Sequence, residues 1–144
     1  MKMVNVGISE TVRPDDGIIY NILIVDDERP VSRALKRTFK RSSLFKSEIS
    51  LADNARAALC ELERKKFDLV ISDFKMPGMN GIDLLVNIKD KFPEVVRVLF
   101  TGFSDINVEK EAVNRAELHE YIEKPWDNDE ISRLIHRALI QNIK

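Results

Sequence analysis

A chain of 144 residues with 23 basic and 24 acidic side chains fits a single domain, and its net charge of −1 gives no general attraction for nucleic acid or an anionic membrane. The single cysteine, Cys60, excludes an intramolecular disulfide framework, so the fold must be held by its core, as suits a reducing cytoplasm. No apolar stretch approaches the roughly 20 residues that span a bilayer, and Asn5, Gly7 and Ser9 interrupt any signal-peptide core, so the expected location is cytoplasmic.

Residues 1–18 lack periodicity and close on the turn-rich Arg13-Pro14-Asp15-Asp16-Gly17, which reads as an N-terminal extension ahead of a domain over 19–144. Ile22-Leu23-Ile24-Val25 is apolar on both faces, as an inner parallel strand requires. Val31, Ala34, Leu35, Thr38 and Phe39 then form one helix face, with Pro30 in the first turn. A second strand over Ser47–Ala52 alternates, with Ile49 and Leu51 on one side. Ala55, Ala58, Leu59 and Leu62 give the second helix, in which Cys60 is expected as a small buried thiol. Leu69-Val70-Ile71 is the third strand, and Gly81–Lys91 a helix through Ile82, Leu85, Val86 and Lys89. Val95–Phe100, Asp105–Arg115 and Leu118–Ile122 follow as strand, helix and strand. The last helix carries Ile131, Leu134, Ile135, Ala138 and Leu139.

This strict alternation predicts an α/β fold with a parallel sheet and right-handed crossovers. Strands one, three and four are apolar apart from Arg97, whereas two and five alternate with polar residues and suit the sheet edges. The pattern fits a five-stranded parallel sheet of order 2-1-3-4-5, flanked by helices on both faces in the flavodoxin-like manner.

In such sheets, sites form beyond the carboxyl ends of strands where the order reverses, here between strands one and three. Strand one ends in Asp26-Asp27-Glu28 and strand three in Asp73, so three carboxylates converge. Each pair of charges at ~4 Å and an effective dielectric of ~20 costs about 4 kcal/mol. A divalent cation or proton uptake must relieve that repulsion. All-oxygen donors favour a hard ion, Mg²⁺ over Zn²⁺. Strand four ends in Thr101-Gly102 and strand five in Lys124-Pro125. The Thr101 hydroxyl can donate to a phosphoryl oxygen, Lys124 brings a cation among the carboxylates, and Gly102 permits close backbone approach to a ligand.

Ile24-Val25-Asp26-Asp27-Glu28, Asp73-Phe74-Lys75-Met76-Pro77-Gly78-Met79-Asn80-Gly81, Thr101-Gly102 and Tyr121-Ile122-Glu123-Lys124-Pro125 together resemble the receiver domain of bacterial two-component response regulators, over about residues 19–143. The resemblance implies that Asp73 accepts a phosphoryl group from a histidine kinase or phosphotransfer protein. It implies Mg²⁺ held by Asp26, Asp27, Asp73 and the Lys75 backbone carbonyl, with Thr101 and Lys124 on the phosphoryl oxygens and a cis Lys124–Pro125 bond. Thr101 and Tyr121 would switch together, passing the change to a face of helix four, strand five and helix five that meets an output domain or a second copy. Lys75 and Phe103, two residues beyond Asp73 and Thr101, would set the lifetime of the phosphoaspartate. Such a protein assists its own phosphoryl transfer and is not a turnover enzyme.

Helix one presents Arg29, Arg33, Lys36, Arg37, Lys40 and Arg41, a solvated face or a kinase-docking one. Helix four has few apolar positions, chiefly Val108, Ala112, Val113 and Ala116, and is expected to be loosely held. Where the family usually has glycine after that helix, Arg115-Ala116-Glu117 stands instead, so the helix is expected to end another way. Lys124-Pro125-Trp126-Asp127 resembles receivers joined to separate output domains, including those that degrade cyclic dinucleotides, and the last helix runs to Lys144 without a stop signal. The chain is accordingly expected either as part of a longer protein or acting alone. Two rivals remain. One is a receiver-like interaction module independent of phosphorylation. The other is a Mg²⁺-dependent phosphatase of the haloacid dehalogenase type, which wants Asp-x-Asp after strand one rather than Asp26-Asp27-Glu28.

Overall fold

The computed structural model describes residues 15–102 and 106–142. Strands and helices alternate as β1 (Ile19–Val25), α1 (Arg29–Arg41), β2 (Lys46–Ala52), α2 (Ala55–Arg64), β3 (Leu69–Ser72), α3 (Gly81–Lys91), β4 (Val96–Thr101), α4 (Ile106–Ala116), β5 (Glu120–Glu123) and α5 (Asn128–Gln141). The strands pair in parallel in the order β2-β1-β3-β4-β5, as their polarity predicts.

Successive side chains of a strand point to opposite faces, so each central strand feeds two cores. Leu23 and Val25 of β1, Val70 of β3 and Leu99 of β4 pack with Ala58 and Leu62 of α2, Ile82 and Leu85 of α3, and Ala112 and Ala116 of α4. Ile22, Ile24, Leu69, Ile71, Val98 and Phe100 meet Leu35 and Phe39 of α1 and Ile131 and Ile135 of α5 on the other face. Burying side chains of this size is worth roughly 1.5–3 kcal/mol each. That explains why the three inner strands tolerate almost no polar residue.

Most element boundaries fall within one or two residues of those expected; β1 and α5 begin three residues earlier than their apolar positions suggest, and β4 and β5 begin later. Two side chains depart from expectation. Cys60 is exposed rather than buried, because the inward stripe of α2 is Ala55, Ala58 and Leu62. Leu51, on the same side of β2 as the packed Ile49, is 38% exposed at the open edge of the sheet.

The end of α4 gives a third correction. Glu117 itself takes the left-handed conformation, with φ 48°, although it is not glycine. Such a backbone is costly for a residue with a Cβ and persists where surroundings over-determine it. Here the surroundings are Arg97, the charged residue of an otherwise uncharged strand, which is 4% exposed. Its guanidinium donates to the carbonyl oxygens of Ala116 (2.9 Å), Glu117 (3.2 Å), Pro93 (3.1 Å) and Val95 (2.9 Å). Lys89 of α3 adds a bond to the Arg115 carbonyl at 2.8 Å. Carbonyls left over at a helix terminus are thereby satisfied by side chains from β4 and α3. The C-terminal half of α4 buries Ala112 and Ala116 completely.

His119 completes this corner. The Arg97 backbone N–H donates to His119 Nδ1 at 2.9 Å, and the His119 N–H donates to the Arg97 carbonyl at 2.8 Å. Burial, and then the nearby Arg97 charge, hold the imidazole below its ordinary pKa of 6.5. The native state therefore binds fewer protons than the unfolded chain, and stability is full above the unfolded value and declines as pH falls toward the folded one. Urea titrations from about pH 7 to about pH 5 should show wild type losing stability faster than His119→Gln. Replacing Arg97 by Met orphans buried carbonyls and should cost about 3 kcal/mol or more. The same change should speed amide exchange over residues 113–119, read by mass spectrometry.

Candidate functional site

The ladder continues one residue past β1 and β3, which fixes both acidic positions. The Asp26 N–H donates to the Ala52 carbonyl at 3.1 Å, and the Asp73 N–H to the Val25 carbonyl at 2.9 Å. Asp26 and Asp73 are consequently buried, while Asp27 is exposed on the loop into α1. One carboxylate oxygen from each of the three lies within 4.8 Å of the others. Three carboxylates facing one ammonium leave an excess of negative charge, and the donors are all oxygen, so the cluster fits a hard divalent cation. A cavity of about 400 Å³ opens beside it, lined by Asp27, Phe74, Lys75, Met76, Pro77 and Asn80.

Lys124 follows β5, and its bond to Pro125 is cis. Its backbone N–H donates to the Thr101 carbonyl at 2.9 Å, which extends the β4–β5 ladder to the site. The ammonium lies 3.1 Å from Asp26 Oδ2, 3.4 Å from Asp73 Oδ1 and 4.0 Å from Glu28 Oε1. Asp26 Oδ1 accepts the Glu28 N–H at 2.8 Å, so both of its oxygens have partners within the chain. Asp73 Oδ1 accepts the Phe74 N–H at 2.9 Å. Burial raises the Asp73 carboxyl above its ordinary pKa; Lys124 opposes that rise and Asp26 adds to it.

Thr101 is buried at the last position of β4. Alternation puts it on the same sheet face as Tyr121, whose half-buried ring packs on the α2–α3–α4 side. Lys75 is exposed and lines the cavity with Asp27. Phe103 lies outside the described residues. The structure thus brings Asp26, Asp27, Asp73 and Lys124 together, with Thr101 joined to Lys124 through the backbone.

Some contributors escape a reading of the sequence. Gly81 is demanded sterically: a Cβ there would run into the Asp73 carbonyl oxygen. Its N–H donates to the Phe74 carbonyl at 2.8 Å, and Asn80 caps α3 by accepting the Asp83 N–H at 2.9 Å. The loop from Asp73 to α3 is thus folded back on the acidic cluster, turning through Gly78 at φ 79°. Gly102 is a contrary case, since a Cβ there would meet only the Lys124 side chain at 3.9 Å. Nothing among the described residues demands glycine at that position.

Comparison with known proteins bears on this constellation. The sequence model of the response regulator receiver domain matches residues 22–136. The chain is 33% identical over 118 residues to the hydrogenase transcriptional regulatory protein HoxA of Cupriavidus necator, covering 82% of this chain and 24% of that protein. It is 35% identical over 127 residues to the regulatory protein AtoC of Escherichia coli, covering 88% of this chain and 27% of that one. It therefore spans about a quarter of the length of these curated relatives. Among solved structures, the signal receiver domain of an HD domain-containing protein from Pseudomonas fluorescens superimposes with a TM-score of 0.79 at 31% identity, over 85% of this chain and 88% of that one. A CheY-like receiver domain from Methanospirillum hungatei gives 0.77 at 27% identity, over 86% and 96%. No helix among the described residues is long and apolar enough to cross a membrane. With the sheet order, the acidic strand ends and the matched sequence in agreement, the chain belongs to the response regulator receiver domain family.

Proposed function

We propose that this receiver takes a phosphoryl group on Asp73 from a phosphohistidine of a partner kinase or phosphotransfer protein. The observation that carries the reading is the Lys124 ammonium 3.4 Å from Asp73 Oδ1, within a cluster whose three carboxylates fit a divalent cation. An Asp73 oxygen attacks phosphorus in line, the P–N bond breaks, and its electron pair leaves with the donor's imidazole. The work left to the protein is positioning and neutralising charge on the equatorial oxygens. Lys124 supplies one positive charge at the site, and the Thr101 hydroxyl a hydrogen-bond donor. Mg²⁺ held by Asp26, Asp27, Asp73 and the Lys75 carbonyl supplies further charge neutralisation when bound.

On this reading Thr101 and Tyr121, which share a sheet face, rearrange together and bias two packings of the α4–β5–α5 face toward one. That face meets an output domain or a second copy of the chain. The basic positions of α1 are all exposed, which supports α1 as the side that meets the upstream partner. Lys75, beside the cavity mouth, and Phe103 set the phosphoaspartate lifetime. The folded unit over 19–144, preceded by an extension over 1–18, acts in the cytoplasm as a phosphorylated switch without turnover of other substrates.

Incubation with acetyl phosphate and Mg²⁺, followed by intact-mass and peptide mass spectrometry, should give one labile phosphoryl group on Asp73, absent in Asp73→Asn. Unmodified protein under these conditions, with or without hydrolysis of phosphate esters, would remove the reading. Millimolar Mg²⁺ should raise Tm by a few degrees in wild type. Asp27→Asn should lose most of that gain, and an equal gain in both proteins would place the ion elsewhere.

A further inference from the structure

The ammonium of Lys124 also has an uncharged, buried neighbour in the site. Phe100, the residue before Thr101 on β4, is 1% exposed, and the Lys124 Nζ lies over its ring, 4.9 Å from the centroid. From this geometry we infer that Phe100 is a positioning residue for phosphoryl transfer, its ring face holding the Lys124 ammonium at the reacting oxygens through a cation–π contact. The inference rests on the reading of Asp73 as phosphoacceptor and names a residue that reading does not require.

The other partners of Lys124 are carboxylates, and one of them changes during the reaction. When Asp73 Oδ becomes an acyl phosphate oxygen, the carboxylate loses its own charge, and Asp26 faces whatever cation the site has gathered. A flexible four-carbon stem then has fewer fixed charges to define its place. The negative face of an aromatic ring attracts an ammonium throughout, and more strongly in a desolvated setting. Lys124 is only 16% exposed at its side chain, so the contact is shielded from water.

The ring is itself held. Phe100 faces the α1–α5 core, and the Trp126 ring lies against it, with centroids 5.3 Å apart and planes at 56°. The Trp126 indole N–H donates to Asn128 Oδ1 at 2.8 Å, and the same oxygen accepts the Thr38 hydroxyl of α1 at 2.9 Å. A leucine at position 100 would fill much of the volume, yet it offers the ammonium no quadrupole.

The test uses the full chain with 4-fluoro- and 3,4,5-trifluorophenylalanine at position 100, beside Phe100→Leu. Fluorine drains the ring face of negative potential and leaves its shape nearly intact. The rate of Asp73 phosphorylation by acetyl phosphate with Mg²⁺ should fall stepwise with fluorine number while Tm holds. The whole span, ending at Phe100→Leu, should be roughly 3- to 30-fold, as expected for a cation–π contact. In metal-free protein, the Lys124 ε-methylene protons should show ring-current displacement that Phe100→Leu abolishes. Fluorinated variants as fast as wild type would overturn the inference, even if Phe100→Leu were slow, because the ring would then serve packing alone. Undisplaced Lys124 resonances would overturn it as well. A wild-type chain that takes no phosphoryl group on Asp73 would overturn this inference and the proposed function together, whereas a phosphorylated chain indifferent to fluorine removes the inference only.

Discussion

Like charges brought close together are the constraint around which this molecule is arranged. Two buried aspartates and a third at the surface offer oxygens within 4.8 Å of one another, and the Lys124 ammonium reaches the buried pair. At such separations and an effective dielectric of ~20, each carboxylate pair opposes folding by about 4 kcal/mol before any compensation. The fold can carry that burden because the acidic residues sit at strand ends, anchored by ladder bonds that continue past β1 and β3. Beneath them, Ile22 to Val25, Leu69 to Ile71 and Val98 to Phe100 are almost completely removed from water. Stability comes from the middle of the sheet and is lost at its carboxyl edge, as functional sites generally require.

This division also explains what the chain discloses before folding and what it withholds. Hydrophobic runs mark inner strands because both faces of those strands must be covered, and the residue that ends each run marks the site edge. Asp26, Asp73 and Thr101 were legible for that reason, whereas Lys124 follows an alternating edge strand and was legible through its place in the receiver-like pattern. Contacts made across the fold leave no such trace. Arg97 could be recognised as an interruption of an apolar strand, but its four carbonyl partners come from residues 93, 95, 116 and 117 and meet only in three dimensions. Glu117 looked unsuited to a left-handed position because propensity was judged without the guanidinium that stabilises it. Gly81 and Phe100 read as ordinary helix-start and strand residues until the Asp73 carbonyl and the Lys124 ammonium are placed beside them.

Cys60 faces outward for a reason of helix geometry. Residues two apart on a helix lie about 200° around its axis. Ala58 points inward and is fully buried, so position 60 must face away from the core. Counting small apolar neighbours along the chain pointed inward; the angular arithmetic pointed outward. Ile49 and Leu51 give the strand version of the lesson, since an edge strand outruns the helix that covers it and sharing a side does not guarantee sharing a core.

The tethered end of α4 has a mechanical consequence. Arg97 and Lys89 moor residues 115–117 to the sheet and to α3, so that end of the helix behaves as a fulcrum. Eleven residues at about 1.5 Å of rise make an arm of about 16 Å. A tilt of such an arm by about 10° about that end would carry its far end about 3 Å. Any such tilt would grow with distance from Arg97, so a partner gripping the first turn of α4 would feel a displacement that one gripping the last turn would miss.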